Sequence, residues 1–334
     1  MIIIGHAYDI DFKDYACNRD GDRHSEIRLW CFDRDSNPFI GRVRDFPNFC
    51  KVELPVVLDS VGRIMQWDEI LADKVFKQMV RTLKKKDLGI PKTFNYVMQT
   101  RLYYYSNRMY PYMILTFDTK EDMQVASRVC KNLYTDNFGK LQLIFRELDV
   151  SPENKMFSLR NCGITGKFKC RGIEIKPDDA ERISKVGPRK VPFREFEIEW
   201  RTFQKLPEEE CNWISYPIVF SYDIEARSHR KRAFPQKKHH LDICFSIAAT
   251  IQKYNHPETE KKVCIIMGPT KKIEGAEVIY AKDEMDVLEK FFKLIEQEDP
   301  DVLIGYNIFG FDYEYLESRL SIMAEDFPNC GRLL

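Results

Sequence analysis

Alternating apolar and polar positions dominate the first sixty residues and predict strands. Glu26–Asp33 (EIRLWCFD) keeps the period of two of a half-buried strand, and the polar stretch Arg34–Pro38 after it reads as a turn. Between Trp67 and Lys86 the period lengthens. Ile70, Leu71, Val75, Phe76, Met79, Val80 and Leu83 fall at helical spacing. Two aromatic-rich strand candidates follow, Phe94–Tyr105 and Tyr110–Phe117. Thr119 then caps a helix with Asp122 three residues on, a capping box with Asp in place of Glu. Leu141–Leu148 returns to a strand, and the polar stretch Glu174–Pro192, with a turn at Gly187-Pro188, reads as a surface connection.

The second half changes character. Pro217–Tyr222 (PIVFSY) is a strand running into Asp223-Ile224-Glu225, and Leu241–Ile251 and Lys262–Met267 are two more. Asp283–Glu298 is an amphipathic helix with Met285, Leu288, Phe291, Phe292 and Ile295 on one face. Val302–Gly305 is a short buried strand, and Asp312–Met323 a final helix. The order β-β-β-α-β-α is that of the start of a ribonuclease-H-like fold, whose first strand pairs parallel with the fourth by a right-handed crossover. In the first half, β-β-α-β after a helix suits an RRM-like α+β unit. Tyr103, Tyr104 and Tyr105 could stack on RNA bases there. No RNP1-type run of Gly and aromatics accompanies them, so a strand whose alternate aromatics face the core is the preferred reading. The expected fold is thus mixed α/β and α+β. A β-rich segment spans residues 1–62, an RRM-like unit about 63–175, together an N-terminal domain of 1–212. A ribonuclease-H-like domain, incomplete at its C-terminal end, occupies 213–334.

Composition narrows the class. The 334 residues are 44% hydrophobic, enough to bury a core, which excludes a disordered or low-complexity chain. No run approaches the ~18 apolar residues of a membrane span, and no secretory signal precedes the first strand. Lys+Arg and Asp+Glu balance at 52 each, so there is no histone-like polycation. The ten cysteines contain no C-x-x-C pair and several lie in apolar runs, as Cys31 and Cys264 do. They read as buried thiols in a reducing, intracellular setting, not as a zinc site or disulfide framework.

The chemistry lies in carboxylates. Asp223 and Glu225, two apart on a strand, leave the same face while Ile224 points to the other. Such a pair repels itself unless a proton or a cation sits between, and hard ions such as Mg²⁺ take oxygen ligands. A solvated edge strand gives the same D-x-E pattern. The run Gly305-Tyr306-Asn307-Ile308-Phe309-Gly310-Phe311-Asp312 then leaves the fourth strand and opens a helix. If strands one and four are neighbours, Asp312 reaches the same sheet end. Three carboxylates there would suit a binuclear metal site for phosphodiester hydrolysis. The alternative for Asp312 is a helix N-cap.

Phe220-Ser221-Tyr222-Asp223-Ile224-Glu225 resembles the first exonuclease motif of family B DNA polymerases. Pro300-Asp301-Val302-Leu303-Ile304-Gly305-Tyr306-Asn307, with Phe311-Asp312 and Tyr315-Leu316, resembles the second. His6-Ala7-Tyr8-Asp9-Ile10 and Glu195–Trp200 (EFEIEW) resemble N-terminal features of delta-type enzymes, and GYNIFGFD leans toward those of large DNA viruses. The resemblance implies a proofreading 3′–5′ exonuclease with two ions, Mg²⁺ with Mn²⁺ as the other candidate. Asp223, shared between the ions, Glu225 and Asp312 would be ligands and catalytic residues. Asn307 and Phe311 would contact the unpaired 3′ end, by hydrogen bonds and stacking. It implies DNA as partner, as a single-stranded 3′ end and a primer–template, a sliding clamp or processivity factor, and work in the nucleus or a viral replication compartment. No membrane partner is expected.

Two departures stand out. No Tyr-x-x-x-Asp motif follows Asp312, and the polymerase motifs are missing. The chain therefore reads as the N-terminal part of a larger polymerase, inactive alone, with nucleotide triphosphates bound only by the full-length protein. The alternatives are a free-standing DEDD-type exonuclease and a nuclease-dead nucleic-acid-binding module. The acid-free stretch Arg227–His240 (RSHRKRAFPQKKHH), which the resemblance places beside the single strand, offers Arg230, Lys231 and Arg232 for phosphates and Phe234 for stacking. It would otherwise be a solvated loop or a nuclear-localisation patch. Its pair His239-His240 lacks a cysteine or carboxylate at ligand spacing and is not read as a metal site.

Overall fold

The computed structural model describes residues 1–17, 23–59, 61–101, 107–179, 181–184 and 193–333. Tyr103, Tyr104, Tyr105 and the Gly187-Pro188 turn lie outside the described residues. Two compact units emerge, the first made of Met1–Arg182 and Phe193–Trp213, the second chiefly of Ile214 onward.

The first unit opens with the antiparallel meander β1 (Ile2–Cys17), β2 (Arg23–Phe32) and β3 (Pro38–Val43). Then come β4 (Asn48–Glu53), α1 (Glu69–Lys84), β5 (Thr93–Thr100), β6 (Met109–Phe117) and α2 (Lys120–Cys130). After these follow β7 (Asn132–Thr135), β8 (Gly139–Gln142), β9 (Ile144–Arg146) and α3 (Pro152–Leu159). Last are β10 (Gly166–Ile175) and β11 (Arg194–Lys205).

Five strands close a barrel in the order β1-β10-β11-β3-β2, in which only β3 and β11 run parallel. The period of two in β2 explains the filling: Ile27, Leu29 and Cys31 face inward with Phe39, Phe168, Phe196 and Ile198. The opposite face of β2 and β3 carries a buried ionic network. Glu26 accepts from Arg42 at 2.7 Å and from Arg28 at 2.6 Å, and Arg42 also donates to the Glu181 carbonyl. Burial works against the charge on Glu26, but the hydrogen bonds from Arg42 and Arg28 outweigh it and hold the carboxyl below its ordinary value.

A second sheet, ordered β5-β6-β4-β9, is covered by α1 and α2. Thr119 caps α2 reciprocally, accepting from the Asp122 N–H at 3.0 Å while its hydroxyl donates to the Asp122 carboxylate at 2.7 Å. Chain order and spatial grouping differ here. β4 belongs to this sheet although it follows the meander directly, whereas β10 returns to the barrel. The apolar Leu141–Leu148 stretch is split between β8 and β9, with the Leu143 N–H turned aside to the Lys131 carbonyl at 2.9 Å.

The second unit contains β12 (Ile218–Arg227), β13 (Ile243–Lys253), β14 (His256–Met267), β15 (Glu277–Ala281), α4 (Glu284–Glu298), β16 (Val302–Ile304) and α5 (Asp312–Ile322). Its sheet order is β15-β14-β13-β12-β16. β12, β13 and β14 form an antiparallel meander, and β16 returns parallel to β12. The five-residue β15 is an addition to the sequence reading; it pairs parallel with β14. Phe220, Tyr222 and Ile224 share one core with Val287, Leu288 and Phe291 of α4 and with Tyr315, Leu316 and Leu320 of α5.

Glu26→Gln keeps the shape but removes the charge that Arg28, Arg42 and Arg44 surround. A depressed carboxyl contributes stability that is present above its unfolded value near 4.3 and is lost as pH falls through the folded one. The variant is therefore expected to be about 3 kcal/mol less stable than the parent at pH 7. That gap should close in acid, as read by urea unfolding across pH.

Candidate functional site

β12 is anchored at Ile218, whose N–H donates to the Asp301 carboxylate at 2.8 Å and whose carbonyl accepts from the Asp301 N–H at 2.9 Å. From there β12 and β16 pair in parallel, Val219 with Val302 through Ser221 with Ile304. Gly305, next in line, lies so near β12 that a Cβ would stand 2.7 Å from the Tyr222 carbonyl oxygen and 2.2 Å from Ile308 Cγ2. Only glycine fits there. Asn307 then adopts a left-handed φ of 52°, and its carbonyl accepts from the N–H groups of Gly310 and Phe311, which brings the chain round into α5.

Asp223 and Glu225 are exposed on one face of β12, while Ile224 between them is buried in the core. Their partners across the sheet are Ala248 and Ser246, whose short side chains leave the space around the carboxylates unfilled. The register shifts just after Glu225, a bulge of the kind that re-aims a strand. Asp312 is the first residue of α5 and is buried. Phe311 occupies the cap position without a side-chain bond, and the Asp312 carboxylate instead accepts the Ile224 N–H at 3.3 Å. The N-cap alternative thus gives way to a tether between helix and strand. Burial pushes the Asp312 carboxyl up against its two backbone hydrogen bonds, and the charge of Asp223 adds to the rise. A buried anion under the charge of a second carboxylate, with a third exposed two residues along the same strand face, offers the oxygen donors a hard divalent cation takes, although among the described residues only His229, His239 and Asp242 bring three ligand atoms within 4.8 Å of one another.

The basic stretch folds over the start of α5. Arg230, Lys231 and Arg232 are exposed, and Lys237 pairs with Glu314. Phe234 is 67% exposed, with its ring 5.4 Å from that of Phe311. Asn307 is exposed beside Tyr306 (93%) and Phe309 (80%), so the turn presents aromatic faces to solvent. Nucleic-acid bases stack on such faces.

Three residues that fix this arrangement were not singled out from the sequence. Asp242, buried, accepts from the N–H groups of His229 (2.9 Å) and Gln236 (2.7 Å). Burial opposes its charge, yet these bonds and the His229 imidazole hold its carboxyl far below the ordinary range. Arg319, on α5, donates to both Glu284 oxygens at 2.8 and 2.7 Å and to the carbonyls of His239 (2.7 Å) and His240 (3.2 Å). Glu284 in turn accepts the Cys244 N–H at 2.7 Å. The available signal was an Arg on the same helical face as Asp312 and Tyr315, seven and four residues behind it.

Residues 188–334 match the family model described as DNA polymerase family B, exonuclease domain. This part of the chain belongs to that family. The polymerase of Paramecium bursaria Chlorella virus NY2A is 30% identical over 240 residues, which cover 69% of this chain and 24% of that protein. The DNA polymerase delta catalytic subunit of Dictyostelium discoideum is 32% identical over 193 residues, 57% of this chain and 17% of that one. The chain thus spans about a quarter or less of these relatives. A solved family B DNA polymerase from Pyrobaculum calidifontis superposes with a TM-score of 0.62 at 14% identity, covering 97% of this chain and 33% of its own, which shows a shared fold. Within the exonuclease domain, Asp223, Glu225 and Asp312 all lie on β12 or at the start of α5.

Asp312→Asn retains an oxygen for the Ile224 N–H but no charge. A raised acid costs the folded state once pH exceeds its unfolded value near 3.9, so the variant should gain stability on the parent between pH 4 and 7 in EDTA. Thermal unfolding across that range checks it.

Proposed function

We propose that the chain supplies the proofreading 3′–5′ exonuclease of a replicative family B DNA polymerase, acting on the unpaired 3′ end of a primer. The observation that carries this reading is the hydrogen bond from Ile224 to Asp312, which fastens the helix carboxylate to the strand bearing Asp223 and Glu225. These three side chains would hold two divalent ions, Mg²⁺ or Mn²⁺. Such ions, when bound, supply an activated water and neutralise charge on the leaving 3′-oxygen.

The protein's own part is to place the scissile phosphodiester. Arg230, Lys231 and Arg232 neutralise phosphates of the incoming strand, and Phe234 and Phe311 offer neighbouring ring faces to unstacked bases. Asn307, fixed by its left-handed backbone, presents its amide to the terminal nucleotide. Asp312 stays where the β12 backbone holds it, and its charge is stabilised once cations lie beside it. The family's Tyr-x-x-x-Asp pattern has no counterpart after Asp312. Losing one preorganised electrostatic partner costs on the order of 10²–10³ in rate, so the isolated chain is expected to digest DNA slowly.

In the whole polymerase, Asp223→Ala with Glu225→Ala is expected to abolish removal of a mismatched 3′ nucleotide and to leave primer extension intact. Digestion at the parental rate by the double variant would sink the reading. For the isolated chain, replacing Arg230, Lys231 and Arg232 by Ala should flatten the salt dependence of single-strand binding. Each phosphate left without its cationic partner lowers the log–log slope by about 0.7.

A further inference from the structure

We propose that His229, His239 and Asp242 form a binding site for one first-row transition-metal ion, zinc foremost, that fastens the two ends of the basic loop together. The donor atoms of these three side chains all lie within 4.8 Å of one another. The sequence reading gave His239 no carboxylate partner at ligand spacing. The fold supplies one in Asp242, three residues on, and brings in His229 from ten residues back, at the far end of the loop.

Two imidazoles and a carboxylate suit zinc and its neighbours, whereas Mg²⁺ prefers an all-oxygen shell. Ligand bonds of about 2.0–2.2 Å at tetrahedral angles set donor atoms about 3.4 Å apart. His239 Nδ1 stands 3.5 Å from Asp242 Oδ1, close to that spacing. His229 Nδ1 is at 2.5 Å, so it must retreat by less than about 1 Å. The two imidazoles are stacked, with centroids 3.8 Å apart and planes 4° from parallel, and they must tilt for both lone pairs to meet one ion. His229 is exposed and His239 half-buried, on loop backbone that permits this.

The anchors behind the donors are in place. Asp242 is buried and oriented by the N–H groups of His229 and Gln236, and the His239 carbonyl is held by Arg319. Supporting bonds of this sort fix ligand orientation in metal sites. The fourth position faces solvent on the His229 side and would be filled by water. The segment thus closed carries Arg230, Lys231, Arg232 and Phe234, so ligation would restrict a loop that is otherwise tied to α5 by its C-terminal half. This inference stands apart from the carboxylates of β12 and does not rest on the exonuclease reading.

Co²⁺ is the probe, added to the 334-residue chain and followed by its visible d–d absorption. One equivalent is expected to give a band that Zn²⁺ displaces, and the band should persist in Asp223→Ala/Glu225→Ala. In His229→Ala/His239→Ala it should vanish, with Zn²⁺ affinity falling at least about tenfold. Asp242→Asn sits in a buried position where folding itself is at stake, so the histidine variants, altered only in the loop, are decisive. Trypsin cleavage at Arg230–Arg232 should also be slowed by Zn²⁺ in the parent and not in the histidine variant. The proposal fails if the parent gives no band, if the band survives loss of both histidines, or if it disappears with Asp223 and Glu225.

Discussion

The second unit is organised by the meeting of two backbones at Gly305. Parallel pairing of β12 and β16 is only three residues long, and it ends where Gly305 presses against the Tyr222 carbonyl. Because no side chain intervenes, the strand can turn immediately, and the Asn307 turn delivers α5 across the end of β12. A bulkier residue at 305 would push the turn outward. The Ile224–Asp312 bond would then be the first to break, since it spans the gap that Gly305 keeps small. Placement of the carboxylates is thus a steric matter before it is an electrostatic one.

Electrostatics set the surroundings. Arg319 is buried with its guanidinium divided between Glu284 and the carbonyls of His239 and His240, so a single side chain joins α5, the start of α4 and the end of the basic loop. Such a buried pair adds little net stability compared with apolar packing, but it is specific in geometry. Among the described residues no arginine compensates the Asp223, Glu225 and Asp312 carboxylates in this way. The unit commits its buried positive charge to fixing the loop and leaves the strand-end anions to be balanced from outside.

Legibility from the sequence followed the range of the interactions. α1, α2 and α4 were plain because each has an apolar face and a side-chain cap within three residues of its start. The D-x-E spacing and the strand order were enough to suggest where Asp312 would arrive. β15 went unread because five residues are too few for a period to establish itself, and α3 because its eight residues carry start signals only, at Ser151, Pro152 and Glu153. Asp242, Glu284 and Arg319 were illegible for a different reason. Their partners lie up to 80 residues away, and no local pattern reports a bond of that reach. The same holds for Glu26, which reads as an ordinary exposed position of an alternating strand until Arg42, Arg28 and Arg44 surround it.

The barrel's closure has a consequence for the order in which the chain can assemble. β1, β2 and β3 are synthesised within the first 43 residues, yet their outer neighbours β10 and β11 begin only at Gly166 and Arg194. Through that interval the meander has two unsatisfied edges, one along β1 and one along β3, while the sheet of β4, β5, β6 and β9 can complete itself from residues already emerged. Pairings so distant in sequence form slowly, and open edges are templates for pairing with other chains. On the ribosome the inserted sheet would therefore fold before the barrel that flanks it, leaving the nascent meander most exposed to aggregation until about residue 200 has left the exit tunnel.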